Sequence, residues 1–150
     1  MMARVEVSTS KQLFLLPIWQ YNMFQGEVPM QFLWTTIAVR DMEESLAFYQ
    51  NIVSLPLIRR VKSSEETELA FLGNDGTTVE LIYHHGEVVE PCSKNISLGF
   101  AVKSLDNQMA FIKERGIDIY AGPFSPNPVV RFFYILDPNG VKIQFVEQKA

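Results

Sequence analysis

Cysteine is nearly absent from this chain: Cys92 stands alone. No internal disulfide can form, so the fold has to be held by its apolar core, as suits a reducing compartment. Long apolar runs are also lacking. The stretch Leu13-Phe14-Leu15-Leu16-Pro17-Ile18-Trp19 is too short to span a bilayer and is broken by Pro17, and the small-residue cleavage site of a secretory signal is missing. A cytoplasmic chain without a membrane partner is expected. Basic residues are outnumbered, with 13 Lys and Arg against 17 Asp and Glu, a net charge of −4 and a pI near 5.2. That balance argues against nucleic acid, whose phosphates are held by clustered Lys and Arg. There is no Gly-rich phosphate loop, no Ser-His-Asp arrangement and no Cys-His metal spacing.

What is present is a globular composition, 47% hydrophobic and 20% charged over 150 residues. Such a chain can bury one real core but not two independent ones. Its most informative feature is an internal repeat. Ala38-Val39-Arg40-Asp41-Met42-Glu43-Glu44-Ser45-Leu46-Ala47-Phe48-Tyr49 matches Ala101-Val102-Lys103-Ser104-Leu105-Asp106-Asn107-Gln108-Met109-Ala110-Phe111-Ile112 at an offset of 63 residues. Leu72 to Leu81 then matches Leu136 to Phe145 at an offset of 64, with Gly76 on Gly140 and Glu80 on Gln144. Two segments repeated in order imply two similar modules about a pseudo-twofold, with functional positions in matched pairs near the axis.

Each module reads as strand, helix and three strands. In module one, residues 31–86, Phe32 to Val39 is a strand. Asp41 then precedes a helical stripe of Met42, Leu46, Tyr49 and Val53 that ends near Ser54-Leu55-Pro56. Leu57 to Val61, Glu68 to Leu72 and Thr78 to Tyr83 read as strands, the last two joined by a turn at Asn74-Asp75-Gly76. After a linker, 87–95, module two (96–148) has a strand from Ser97 to Val102 and a helix with Leu105, Met109 and Ile112 buried, ended by Gly116. Ile117 to Ala121, Arg131 to Leu136 and Lys142 to Glu147 complete it, with a tight turn at Asp137-Pro138-Asn139-Gly140. Residues 1–30 form an extension outside the repeat, and 31–148 a single domain. The fold class is α+β: two βαβββ modules in tandem forming a curved mixed sheet around a concave pocket. Strand alternation puts Leu33, Ile37 and Val39 toward the helix and Trp34, Thr36 and Ala38 away, and likewise Ile143 and Phe145 opposite Lys142, Gln144 and Val146. The face turned from the helices is mixed, small and polar, as a cavity wall would be.

The paired repeat, with Asp-Met-Glu-Glu-Ser-Leu-Ala-Phe-Tyr after the first strand and Asp-Pro-Asn-Gly-Val-Lys-Ile-Gln-Phe-Val-Glu at the end, resembles the vicinal oxygen chelate superfamily over about residues 31 to 148. That superfamily holds glyoxalase I (lactoylglutathione lyase), extradiol dioxygenases, fosfomycin-resistance enzymes and bleomycin-resistance binding proteins. The resemblance is specific for the glyoxalase/bleomycin-resistance fold and less so for chemistry. It implies a metal site fed by four strands, at positions corresponding here to Trp34, Glu80, Ser97 and Gln144. Glu80 is the one strong ligand among them. An indole offers no lone pair, and a hydroxyl and a neutral amide do little to offset the dehydration of a divalent cation. His84 lies on the Glu80 strand face but roughly 13 Å away along an extended strand. The expectation is therefore no cofactor, with a divalent metal as the alternative.

Two functions follow from the resemblance. The first is binding of a small organic ligand, as in the bleomycin-resistance branch: Trp34 supplies an aromatic wall, Ser97 and Gln144 orient polar groups, His84 is a further binding candidate, and Glu80 pairs with a cationic or hydroxyl-bearing group. The second is a lactoylglutathione-lyase type of reaction with Glu80 as catalytic base or sole strong metal ligand. Arg131 and Arg59-Arg60 are candidates to meet an anionic substrate. The resembling proteins commonly form homodimers, which is the expectation here.

Overall fold

The computed structural model describes residues 31–149, Asp75 excepted. The extension 1–30 and the centre of the first tight turn lie outside the described residues. The elements run β1 (Trp34–Ala38), α1 (Met42–Asn51), β2 (Leu57–Lys62), β3 (Thr67–Leu72), β4 (Thr78–His84), β5 (Ser97–Ala101), α2 (Leu105–Glu114), β6 (Ala121–Asn127), β7 (Val130–Leu136) and β8 (Lys142–Gln148). Among the described residues, no helix is long and apolar enough to cross a membrane.

The repeat is visible in the local chemistry. Asp41 caps α1 by accepting the Glu44 N–H at 2.8 Å, and Ser104, its counterpart, caps α2 by accepting the Asn107 N–H at 3.3 Å. Each cap satisfies a backbone donor that the first helical turn leaves without a partner. Both helices leave through a left-handed residue, Ser54 at φ 65° and Gly116 at φ 67°.

Hydrogen bonding divides the strands into two four-stranded sheets, ordered β1-β4-β3-β2 and β5-β8-β7-β6. In each, the first and last strands of the module pair in parallel and the remainder are antiparallel. α1 packs on β3 and β4, and α2 on β7 and β8. Side chains of the helices and of the sheet faces beneath them, among them Val39, Tyr49, Leu81, Leu105, Ile112, Phe133 and Ile143, are wholly buried and belong to one core cluster across both modules. Apolar burial on one face of each sheet is the main stabilising term.

A buried polar cluster joins the modules. Tyr49 Oη donates to Asp137 Oδ2 at 2.9 Å, Asn139 Nδ2 donates to Ser45 Oγ at 3.0 Å, and the Arg40 N–H donates to Asn139 Oδ1 at 3.0 Å. Asp137 also accepts the N–H groups of Asn139 and Val141, at 2.8 and 2.7 Å. The Asp-Pro-Asn-Gly turn of module two is thereby docked on α1 of module one.

β6 departs from the sequence reading. The strand expected at Ile117 to Ala121 starts at Ala121 instead and runs through Pro123 and Pro126. Proline has no N–H for a ladder, which argues against a strand in the sequence, but β6 is an edge strand with two register shifts against β7, where that donor is not needed. Gly122 makes the bend possible: its φ is 103°, and a Cβ there would stand 3.1 Å from Phe132 O and Phe133 Cα.

Candidate functional site: the open faces of the two sheets

The faces turned away from the helices carry the matched pairs. On the first sheet the register places Thr36, Glu80, Phe71 and Arg59 side by side in one row across β1, β4, β3 and β2. Trp34 lies one step along β1, opposite Thr78. Thr36 Oγ1 donates to Glu80 Oε2 at 2.5 Å, which fixes one carboxylate oxygen and leaves the other for a partner. The Trp34 ring meets Phe71 edge-on with centroids 5.9 Å apart, and the Arg59 guanidinium lies 4.2 Å over the same Phe71 ring. Trp34 nevertheless stays 44% exposed, whereas Phe71, between its two neighbours, is buried. The floor is buried and the wall is exposed.

On the second sheet the corresponding row is Gly99, Gln144, Tyr134 and Ala121. Gln144 Nε2 donates to Tyr134 Oη at 3.0 Å, and Lys142 Nζ stands 4.7 Å over the Tyr134 ring. Phe124, Phe132 and Tyr134 form an aromatic cluster on the same face. Ser97 begins β5 opposite Lys142.

Trp34 and Glu80 therefore share one open face, Ser97 and Gln144 the other, and Glu80 and Gln144 are each hydrogen-bonded within their own sheet. Two cavities of about 340 and 240 Å³ lie at the start of α2 and along the linker, and neither is lined by any of the four. His84 is on the Glu80 face, with Nδ1 3.0 Å from Thr67 Oγ1 at the far end of β4. Arg131 is elsewhere. It alternates with Phe132 and Tyr134, so it points to the helix side, where it is paired with Asp106 of α2 at 2.9 and 3.3 Å. That pairing holds the Asp106 carboxyl below its usual range. Arg60 likewise turns to the helix side, toward Glu68 and Glu43, so of the adjacent arginines only Arg59 reaches the open face.

The four positions do not suit a divalent metal. Their chemistry is one carboxylate, one hydroxyl, one amide and one indole, and among the described residues no three His, Cys, Asp or Glu side chains are grouped to hold an ion. Phe71 and Tyr134 escaped the sequence reading although a signal existed, and Thr36 was placed on the open face without its bond to Glu80. Hairpin pairing across each tight turn sets Phe71 opposite Glu80 and Tyr134 opposite Gln144.

Comparison with known proteins agrees with this architecture. Residues 31–145 match the family model of the Glyoxalase/Bleomycin resistance protein/Dioxygenase superfamily. A lactoylglutathione lyase of Haemophilus influenzae is 32% identical over 131 residues, 81% of this chain and 95% of that protein. One of Salmonella typhimurium is 31% identical over 130 residues, 80% and 94% of the two chains. The glyoxalase I structure of Leishmania major superposes with a TM-score of 0.69 at 22% identity, covering 79% of this chain and 86% of that one; at that identity the likeness speaks for the fold alone. With its tandem modules, its matched sheet faces and a family match over most of its length, the chain belongs to the Glyoxalase/Bleomycin resistance protein/Dioxygenase superfamily.

Proposed function

We propose that this protein binds a small organic ligand against the open face of its first sheet, without the metal quartet of the metal-dependent members of its family. The observation that carries this reading is the row of Thr36, Glu80, Phe71 and Arg59 beside the exposed Trp34 ring. It combines an aromatic wall with one held carboxylate, where a metal centre would need several ionic or imidazole donors. Ser97 and Gln144 of the second face supply hydroxyl and amide groups to orient polar parts of the ligand, and a homodimer in the cytoplasm is the arrangement we infer, with one protomer's first face free to meet another's second. His84 stands at the rim. Arg131, tied to Asp106, is left out of the binding set.

The test is metal content of untagged protein purified without chelator, then thermal-shift titration with nickel, zinc and manganese, and a fragment screen read at the Trp34 indole N–H. No ion and no metal-dependent shift, with fragments moving the Trp34 signal, is the expected result. One ion per chain, with a melting shift lost in Glu80→Ala, would overturn it.

A second reading is favoured by the relatives named lactoylglutathione lyase at 31–32% identity. Glu80 would then be the base that removes a proton next to a carbonyl. Against it stands the donor chemistry: without a strong electrophile the developing oxyanion loses roughly several kcal/mol of stabilisation. Glu80→Gln separates the two, abolishing turnover of a hemithioacetal under the second reading and changing only ligand affinity under the first.

A further inference from the structure

Arg59 and Glu80 stand on the same face in the same row, separated by Phe71 and two strand spacings, roughly 10 Å at the backbone. Neither forms an ion pair with the other or with any described residue. This sets them apart from Arg60 and Arg131, which are neutralised by acidic partners. The Arg59 guanidinium is held by its stacking on Phe71, and among the described residues no carboxylate pairs with its N–H edges. Glu80 keeps one oxygen beyond the Thr36 bond. A fixed positive and a fixed negative group thus face the same space without satisfying each other.

Such a pair discriminates by repulsion as well as attraction. A simple cation drawn to Glu80 meets the field of Arg59, and a simple anion drawn to Arg59 meets that of Glu80. A molecule carrying both signs gains at both ends. Trp34, one step along the sheet from Glu80 and 44% exposed, adds a place for a flat apolar group.

On the reading that this face is the binding surface, we propose that the Glu80, Phe71 and Arg59 row selects an α-amino acid with an aromatic side chain. The ammonium donates to Glu80, the carboxylate accepts from Arg59, and the ring lies against Trp34. Charge-assisted hydrogen bonds at a half-open site each account for about a tenfold difference in affinity, and salt weakens both.

The experiment is calorimetric and NMR titration of the full chain with L-phenylalanine and three analogues: phenethylamine, which lacks the carboxylate; N-acetyl-L-phenylalanine, which lacks the ammonium; and N-acetylphenethylamine, which has neither charge. L-Phenylalanine is expected to bind at the Trp34 indole signal, with each single analogue weaker by about tenfold or more. Glu80→Gln should erase the preference for a free ammonium and keep that for the carboxylate, and Arg59→Met should do the reverse. The ligand series on the unaltered protein stands even if a variant fails to fold. If the neutral analogue moves the Trp34 signal as tightly as phenylalanine does, the charge-pair inference is overturned while small-ligand binding stands. If none of the four binds and other fragments do bind at Trp34, the amino-acid class is wrong. Silence from every compound overturns both readings.

Discussion

Tyr49→Phe removes one oxygen and leaves the ring, including its edge-on contact with Phe48 at 5.3 Å. The lost hydroxyl donates to Asp137 Oδ2 at 2.9 Å from a wholly buried position. Hydrogen bonds to a charged acceptor contribute roughly 1.5–3 kcal/mol. Asp137 keeps its bonds from the backbone of Asn139 and Val141, which places the cost in the lower half of that range, about 2 kcal/mol. For a chain of this size each kcal/mol shifts the melting temperature by roughly 2–4 °C, so a fall of about 4–8 °C is expected by calorimetry at neutral pH. The pH dependence makes the test sharper. Burial, then the Asp137 charge and hydrogen bond, push the Tyr49 phenol well above its ordinary pKa. An acid whose folded pKa is raised contributes its stability fully below the unfolded pKa, about 10, and loses it above that as the unfolded chain releases the proton. The wild type should therefore lose stability at up to about 1.4 kcal/mol per pH unit above pH 10 from this group, while Tyr49→Phe does not, and the two curves should converge. Equal melting temperatures at neutral pH, or parallel curves through the alkaline range, would refute the role given to this contact.

Three further outcomes are expected. Gly122→Ala forces a side chain onto a backbone at φ 103° with contacts at 3.1 Å, and should cost roughly 2 kcal/mol or more in urea unfolding; an unchanged midpoint would show that β6 is not held in this path. Arg131→Gln should let the Asp106 carboxyl titrate in its usual range by NMR and leave ligand binding untouched, because the pair lies on the helix side of the second sheet; altered affinity would place Arg131 in the site after all. Trp34→Ala removes an edge contact of about 1 kcal/mol with Phe71, so its effect on melting should be small and its effect on aromatic ligand affinity large, as read by calorimetry.

Much of the fold was legible because the signals are local or repeated. Asp41 and Ser104 announce helix starts, and alternation in β4 and β8 sorts Glu80 and Gln144 from Leu81 and Phe145, since backbone geometry dictates which neighbours share a face. Order along the chain, repeated at a nearly constant offset, carried the two-module architecture. β6 was misplaced because prolines tell against a strand locally, and only its position at the sheet edge removes the objection.

The partners of each charge were beyond the sequence. Arg59 and Arg60 are adjacent and alike in sequence, yet one faces Phe71 and Glu80 and the other turns to Glu43 and Glu68, because strand register decides the face and a neighbouring helix supplies the counter-ion. Arg131, a sequence candidate for an anionic substrate, is paired with Asp106, 25 residues away along the chain. By itself, then, the sequence determined the repeat and most of the elements, which depend on residue identity and spacing. The tertiary structure alone decided which arginine reaches the open face, how the Asp137 turn locks on Tyr49, and the separation of the matched pairs onto two sheets. These depend on contacts between residues distant in sequence, whose energies are set by register and burial rather than by any local pattern.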